Sequence, residues 1–216
     1  MIKGAPIESV KRMQQKGQIF VLTAPSGTGK TTIITTIRKD MIGIGYSVSH
    51  TTREPRNGEV NGLHYYFIHK ADFEKMIEAQ EFIEWALVYD HLYGTSFFSV
   101  NSVLSSGQDL LLDLDSNGAQ AIKKRYPESL LIFILPPSME ALEERLTRRS
   151  SSHGDGEDID LRIKRAAEEI KRCQEYDFIV FNDYLGHAVK EIEAIITAQR
   201  ARTKRRFHLA KKLFTL

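Results

Sequence analysis

The sequence predicts an α/β fold with a parallel central sheet, and three observations predict it. Short apolar runs recur along the chain, which is typical of strands buried on both faces. Segments with helical spacing alternate with most of these runs. The chain has 216 residues, 42% of them hydrophobic, so it is long enough to bury one real core.

The predicted strands are short runs that are rich in apolar, aromatic or β-branched residues. In chain order they lie at 18–23, 46–51, 64–68, 110–114, 130–135 and 178–181. The predicted helices lie at 31–39, 71–80, 97–105, 118–125, 138–149, 161–174 and 185–202. Pro136 and Pro137 end one strand, and Ser138 is expected to cap the helix that follows.

Two segments depart from this alternation. The region 53–98 opens with a turn rich in Gly, Pro and Asn at 53–62, and its mixed pattern indicates an inserted lobe of strand and helix. The segment 150–160 is polar and contains glycine, so a mobile surface loop is expected there.

The charge is nearly balanced, since 30 Lys and Arg stand against 28 Asp and Glu and the net charge is +2. We therefore expect no nucleic-acid partner and no membrane partner. Basic residues do cluster near the C-terminus, and the pattern favours the solvent-exposed face of a terminal helix followed by a solvated tail. A nucleic-acid patch is the alternative, although no aromatic-rich motif accompanies it. The cluster comprises Arg200, Arg202, Lys204, Arg205, Arg206, Lys211 and Lys212.

The single cysteine, Cys173, fits a reducing compartment because it has no partner for an internal disulfide. Residues 1–17 contain no apolar run and do not resemble a signal peptide, and no stretch approaches the length of a membrane span. A cytoplasmic location is therefore expected. The oligomeric state stays open, a homo-oligomer included.

The strongest local motif is a Gly-rich loop between a predicted strand and a predicted helix. Backbone N–H groups in such a loop converge on phosphate oxygens, and the helix N-terminus adds partial positive charge. Lys30 is expected to reach the β- and γ-phosphates, and Thr31 to ligate Mg²⁺. The predicted ATP-binding residues are Ala24, Pro25, Ser26, Gly27, Thr28, Gly29, Lys30, Thr31 and Thr32.

The motif departs from its general form at Ala24, where the first glycine is usual. It predicts nucleotide binding and does not distinguish kinases from motor ATPases or GTPases. Arg53 and Arg56 flank a proline turn, and paired guanidinium forks suit a phosphate monoester, although surface charge on a turn is the plainer interpretation.

The segments that carry a family resemblance are the Gly-rich loop 24–32, called the P-loop below, the run 47–59, EFIEWA (81–86), YGTS (93–96) and LDLD (112–115). With them, the chain resembles a guanylate kinase over residues 18–202. The resemblance implies a three-layer α/β/α P-loop NTPase fold with an inserted mixed α/β GMP-binding lobe and a short helical lid. Its implied boundaries are an N-terminal extension 1–16, a kinase-like domain 17–202 and a basic tail 203–216. Within the domain, the implied core is 17–52, 99–140 and 166–202, the lobe 53–98 and the lid 141–165.

The resemblance also implies roles for individual residues. Asn182 matches a residue near the adenine of ATP, and Thr31 and Asp113 match the surroundings of Mg²⁺. The implied catalytic residues are Lys30, Arg53, Arg145, Arg149 and Arg165. The implied GMP contacts are Ser49, Arg53, Arg56, Glu59, Tyr65, Glu84, Tyr93, Thr95, Asp113 and Asp115.

The implied reaction moves the γ-phosphoryl group of ATP onto GMP in purine nucleotide metabolism. Alternatives are a guanylate-kinase-like scaffold that binds phosphorylated peptides and a P-loop kinase with another acceptor. Taken singly, several site residues have plainer interpretations: Tyr65 and Tyr93 as core aromatics, Asp113 and Asp115 as helix caps. The chain departs from the family pattern at Ser150 and at Ser116 and Asn117, which bears on the lid and on the acceptor fit.

Glu84 has a physical reading of its own. Guanine presents two adjacent donors, N1–H and the 2-amino group, and one carboxylate accepts both. Adenine lacks that pair and would leave a buried carboxylate without partners. Taken alone, without the flanking motifs, Glu84 has a plainer interpretation as a solvated acid at the end of a helix or strand.

Overall fold

The computed structural model describes residues 16–88, 90–153 and 159–214, of which 88 and 149–153 by backbone only. The strands are β1 (Ile19–Thr23), β2 (Ile44–Gly45), β3 (His50–Thr51), β4 (Tyr66–Phe67), β5 (Phe82–Val88), β6 (His91–Ser96), β7 (Asp109–Asp113), β8 (Leu130–Leu135) and β9 (Phe178–Phe181). The helices are α1 (Lys30–Asp40), α2 (Lys70–Glu78), α3 (Phe97–Ser105), α4 (Ser116–Arg125), α5 (Met139–His153), α6 (Ile159–Lys171), α7 (Leu185–Ala201) and α8 (Thr203–Phe214). A 3-10 turn (Arg172–Glu175) joins α6 to β9.

The central sheet is parallel, in the order β2-β7-β1-β8-β9. β1 lies in its middle, with Val21 beside Leu112 of β7 on one side and Leu131 of β8 on the other. Every residue of β1 is buried, which explains its continuous apolar run. The predicted α/β fold with a parallel sheet is confirmed.

Helices cover both faces of this sheet and complete three layers. Phe20 and Leu22 pack with side chains of α1 and α7, among them Ile33 and Ile192. The alternate residues of β1 point to the other face, where Val21 belongs to a second core cluster with side chains of α3 and α4. The two-residue alternation of one strand therefore divides the core into its two halves.

A second sheet of four strands, in the order β4-β3-β6-β5, forms the inserted lobe. β5 and β6 form an antiparallel hairpin that was not predicted from the sequence. The strand predicted at 46–51 is wrong as one element. β2 ends at Gly45 in the central sheet, and β3 begins at His50 in the second sheet, so 46–49 is the crossing between them.

Other sequence predictions also need correction. The strand predicted at 64–68 is reduced to Tyr66–Phe67. The loop predicted at 150–160 is wrong at its start, because α5 continues to His153, held by Leu142 and Leu146 against α6. Residues 154–158 of that loop lie outside the described residues.

The predicted solvated tail is wrong, since Thr203–Phe214 forms α8. The buried side chain of Leu209, and Arg205 with its contacts to Asp109 and to the Lys16 carbonyl, dock this helix on the domain. Within the described ranges, no helix combines the length and apolar character needed to cross a bilayer. The implied domain boundaries stay a prediction.

Candidate active site

The Gly-rich loop leaves the carboxyl end of β1 and runs into α1, as its motif predicts. Gly27 and Gly29 have φ values of 86° and 94°, a left-handed region that favours glycine. Gly29 is the N-cap of α1 and supplies no side-chain cap, so the first amides of the helix stay available to a ligand. Backbone amides at the N-terminus of a helix are the kind of donors that receive anions.

Lys30 and Asp113 meet beside this loop because β1 and β7 are parallel neighbours whose carboxyl ends coincide. The Lys30 ammonium lies 2.5 Å from the Asp113 carboxylate and donates to the Leu114 carbonyl at 3.4 Å. Lys30 is mostly buried, with 19% of its side chain exposed, whereas Asp113 is 43% exposed. The carboxylate is therefore open to the space above the loop.

The residues here fit a magnesium ion that arrives with a nucleotide. Mg²⁺ prefers oxygen ligands and is usually held by one or two carboxylates together with substrate phosphates. Asp113 supplies a carboxylate that is paired with Lys30 through one oxygen and is still 43% exposed, and Thr31 is exposed in the first turn of α1. Among the described side chains, no group of three or more His, Cys, Asp or Glu is arranged to hold a metal without a substrate.

Asn182 and Arg145 brace the loop from outside. The Asn182 amide donates to the Thr28 carbonyl at 2.7 Å. The Arg145 guanidinium donates to the same carbonyl at 3.3 Å and to the Asn182 carbonyl at 3.1 Å. Two predicted site residues, from the end of β9 and from α5, are thus brought to the P-loop.

Arg162 of α6 was missed in the sequence. Its guanidinium donates to the Ser26 hydroxyl at 3.0 Å, and only 9% of the residue is exposed. Arg165, the predicted lid arginine, lies almost one turn further along α6 and is exposed. The side chain of Arg149 lies outside the described residues. The signal for Arg162 was its spacing of four residues from the buried Ala166, which places both on the inner face of α6.

The inserted lobe contributes a second cationic centre. The Arg53 guanidinium donates to both carboxylate oxygens of Glu59, at 2.8 and 2.9 Å, and the Arg56 backbone N–H donates to the same carboxylate at 2.7 Å. The hydrogen bond from Arg53 and then that from Arg56 lower the pKa of Glu59 to about 2. The Arg56 side chain itself is exposed.

Two tyrosines line the same centre. The Arg53 guanidinium lies 5.7 Å from the centre of the Tyr65 ring, and the rings of Tyr65 and Tyr93 meet edge to face at 5.8 Å. Tyr93 lies on β6 beside Thr51 of β3, so the second sheet sets its position. Arg53, Glu59, Tyr65 and Tyr93 are therefore neighbours, as the sequence motifs implied.

Glu84, Thr95 and Ser49 form a polar chain in the same lobe. The Thr95 hydroxyl donates to the Glu84 carboxylate at 3.1 Å and lies 3.4 Å from the Ser49 hydroxyl. Glu84 and Thr95 are directly paired residues of the β5–β6 hairpin. Burial raises the pKa of Glu84, the hydrogen bond from Thr95 opposes that shift, and the carboxylates of Asp115 and Asp113 add to it.

Packing brings the two lobes into one site, since Ile83, the neighbour of Glu84 on β5, lies in one core cluster with Leu112 and Leu114 beside the P-loop. Asp115 caps α4 by accepting from the Gly118 N–H at 2.7 Å, so its helix-capping interpretation holds whatever else it does. The site can thus hold an anion chain at one end and a base with paired donors at the other.

The two departures after Asp115 have structural partners. The Ser116 hydroxyl accepts from the Tyr176 hydroxyl at 3.2 Å, and the Arg172 guanidinium donates to the Asn117 carbonyl oxygen at 3.4 Å. The acceptor in Asn117 is its side-chain amide oxygen, Oδ1. Both contacts tie the start of α4 to the segment that follows α6. The Ser150 side chain lies outside the described residues.

A family model described as guanylate kinase matches residues 16–199 of the chain. The guanylate kinase of Carboxydothermus hydrogenoformans is 48% identical over 88% of this chain and 92% of that protein. The guanylate kinase of Geobacter sulfurreducens is 41% identical over 94% of this chain and 100% of that protein. Among solved structures, the guanylate kinase from Anaplasma phagocytophilum is 30% identical with a TM-score of 0.64, covering 95% of this chain and 99% of that one.

Proposed function

The chain belongs to the guanylate kinase family, and we propose that its two lobes hold ATP and GMP so that their phosphates meet between them. The protein is an ATP:GMP phosphotransferase that gives ADP and GDP. The observation that supports the placement of the substrates is Glu84, a half-buried carboxylate held by Thr95, on a strand whose Ile83 packs with Leu112 and Leu114 beside the P-loop.

On the donor side, the phosphates of ATP lie along the P-loop, where loop amides and Lys30 receive them. Asn182 and Arg145 already donate to the Thr28 carbonyl and so fix the position of the loop. Thr31 and Asp113 would hold Mg²⁺. When bound, the ion neutralises charge on the β- and γ-phosphates.

On the acceptor side, the Glu84 carboxylate accepts N1–H and the 2-amino group of guanine, with Ser49 and Thr95 alongside. Thr95 already donates to one carboxylate oxygen, which fixes the rotamer of Glu84 before the base arrives. The phosphate of GMP is bound by Arg53, Arg56, Tyr65 and Tyr93. Glu59 holds Arg53 in place by accepting two hydrogen bonds from its guanidinium.

The transfer itself needs positioning and charge rather than covalent help. An oxygen of the GMP phosphate attacks the γ-phosphorus, the bond to the β-phosphate oxygen breaks, and ADP leaves. No general base is needed, because the attacking phosphate is already anionic. Lys30 and the arginines of α5 and α6 stabilise the charge on the transferred group; they are Arg145, Arg149, Arg162 and Arg165.

The relatives support the kinase rather than a scaffold for phosphorylated peptides or a kinase with another acceptor. Purine nucleotide metabolism is the process that consumes GMP and produces GDP, and we place the protein in the cytoplasm, where that pool is used. We propose no nucleic-acid and no membrane partner, and a homo-oligomer stays open.

The test is ADP formation from ATP and Mg²⁺ with GMP, dGMP, AMP, CMP and UMP offered separately. We expect turnover with GMP, and a loss on the order of 10³-fold in kcat for Lys30→Ala with an unchanged circular dichroism spectrum, because one preorganised charge is removed. Turnover with a different monophosphate would discard the guanine assignment, and near-normal activity of Lys30→Ala would discard the role of Lys30.

A further inference from the structure

A cleft of about 340 Å³ lies at the end of the central sheet opposite to the P-loop. It opens where β1 and β8 begin, and the junction of α7 and α8 forms its other wall. Four cationic side chains line it: Lys16, Arg202, Lys204 and Arg205. Nothing in the phosphotransfer reaction uses these residues.

The cleft carries more positive than negative charge. Glu128 is the carboxylate on its wall, and it pairs with Lys204 at 2.6 Å. Behind the wall, Asp109 accepts from Arg200 at 2.7 Å and lies 3.7 Å from Arg205, so two guanidinium groups share one carboxylate. Five cations, with Lys16 and Arg202 included, therefore face two carboxylates.

Two polar atoms of residues that line the cleft are shielded from solvent and have no hydrogen-bond partner among the described residues. The first is Nε of Arg205, a buried donor that suits an anionic oxygen. The second is Oε1 of Gln18, whose residue is only 8% exposed and lines the cleft; it suits a protonated phosphate oxygen. Burial lowers the pKa of Arg205, and Asp109 only partly opposes the shift. A buried guanidinium of this kind is stabilised by an added anion.

The ligand should be small and should carry more charge than a single phosphate. The cleft has the volume of a small-molecule site rather than of a macromolecular interface. One phosphate group brings at most about two negative charges, fewer than the excess of cations. The preceding segment 1–15 carries Lys3, Lys11 and Arg12 against Glu8, so its own charge is unsuited to a basic cleft.

We propose that this cleft, walled by Lys16, Arg202, Lys204 and Arg205, binds a diphosphate group. Arg202 and Arg205 supply guanidinium groups whose remaining N–H donors suit phosphate oxygens, since one nitrogen of Arg202 already donates to Gln199 Oε1 and one of Arg205 to the Lys16 carbonyl. Lys204 adds a flexible point charge. The group reaches the cleft either as inorganic diphosphate or as part of a nucleoside diphosphate. The site is separate from the P-loop and does not depend on the reaction assigned there.

Calorimetric titration of inorganic diphosphate into the full chain tests the proposal by stoichiometry. We expect two diphosphates per chain, one at the P-loop and one at the cleft. The double variant Arg202→Gln/Lys204→Gln should retain the first and weaken the second by about tenfold or more, since two charge-assisted contacts are lost. The matched control is Lys211→Gln/Lys212→Gln, which removes the same charge from exposed positions of α8.

The proposal is overturned if Arg202→Gln/Lys204→Gln binds diphosphate with the same stoichiometry and affinity as the wild type, or if the control pair loses binding as the cleft pair does. Turnover of GMP should be equal in all three proteins, which shows that the cleft variants are folded. A second titration with GDP separates the two sources: tighter cleft binding than inorganic diphosphate identifies the nucleotide, and weaker binding identifies the free ion.

Discussion

Glu84 illustrates how one side chain serves recognition at a cost in stability. Burial raises the pKa of its carboxyl group, and Asp115 and Asp113 raise it further. Its folded-state pKa therefore lies above the unfolded value, so its ionisation opposes folding at neutral pH. Guanine, with its two donors, is the partner that compensates the charge. Glu84 therefore favours guanine binding at the expense of the stability of the protein without substrate.

We expect the KM for GMP to rise as the pH falls toward the raised pKa of Glu84, because only the ionised carboxylate accepts both guanine donors. Glu84→Gln should lose on the order of 10²–10⁴-fold in kcat/KM for GMP, since two hydrogen bonds to a charged acceptor are lost. The measurement is the kcat/KM for GMP between pH 5 and 8 in both proteins.

The comparison between the two proteins isolates Glu84, because the phosphate of GMP titrates near pH 6 as well and does so in both. Glu84→Gln should also unfold at the same or a higher temperature than the wild type at pH 7.5, since a buried charge is removed. A variant with normal kcat/KM for GMP, or with the same acid limb as the wild type, contradicts the assignment.

Arg162 is the site residue that was not predicted from the sequence. The P-loop, Glu84 and the Arg53 turn were predicted because each lies in a compact motif, and their neighbours in space are set by the two sheets. Arg162 lies in no such motif: its contact with Ser26 depends on how α6 packs against α5 through Ala166. An arginine on the inner face of an amphipathic helix is the pattern that predicts this kind of contact.

At the scale of elements, the P-loop turn makes a glycine prediction. A Cβ on Gly29 would lie 2.8 Å from the Asn182 amide nitrogen, at a φ of +94° that alanine adopts only with strain. We expect Gly29→Ala to cost about 1–3 kcal/mol in the free energy of unfolding and to raise the KM for ATP. The measurements are urea unfolding and ATP titration of turnover.

Gly186 is the matched control, since it lies in the first turn of α7 and no atom comes within 4 Å of a Cβ there. Gly186→Ala should stabilise the protein by about 0.5–1 kcal/mol, because the unfolded chain loses freedom and no contact is strained. If both variants change the free energy of unfolding equally, the backbone geometry of the P-loop is not the cause of the effect at Gly29.

The elements themselves were predicted unevenly, for a physical reason. The strand Leu130–Leu135 was located residue for residue because burial on both faces gives a continuous apolar run. Phe178–Phe181 was also located residue for residue, although Ile179 and Phe181 are exposed at the edge of the sheet, because its four residues are all apolar. The hairpin of β5 and β6 was missed because Trp85 and Leu87 are exposed and break the alternation that predicts a half-buried strand. α8 was missed because its order depends on docking by Leu209 and on ion pairs with distant residues.

At the scale of the whole molecule, Asp109 joins the segment just before β1 to the C-terminal helices α7 and α8. It is 5% exposed, accepts from the Gln18 backbone N–H at 2.7 Å, and pairs with Arg200 of α7 and Arg205 of α8. These contacts lie at the amino ends of the strands, opposite to the P-loop. These stabilising contacts therefore lie at the amino ends of the strands, whereas the candidate active site lies at their carboxyl ends, where ligands bind in parallel α/β folds.

This division predicts that Asp109→Asn destabilises the protein without impairing turnover by the folded fraction. Removing one partner of a buried ion pair leaves two guanidinium groups without a shared counter-charge, so the free energy of unfolding should fall by about 3–5 kcal/mol. Glu128→Gln is the control, because it breaks the pair with Lys204 in which both side chains are more than two-thirds exposed, and such surface pairs contribute about 0–1 kcal/mol. Urea unfolding and GMP turnover at 25 °C measure the two effects. Equal loss of stability in both variants would show that burial does not set the strength of these ion pairs. Lower turnover of Asp109→Asn under conditions in which it is fully folded would show that the two ends of the strands are coupled.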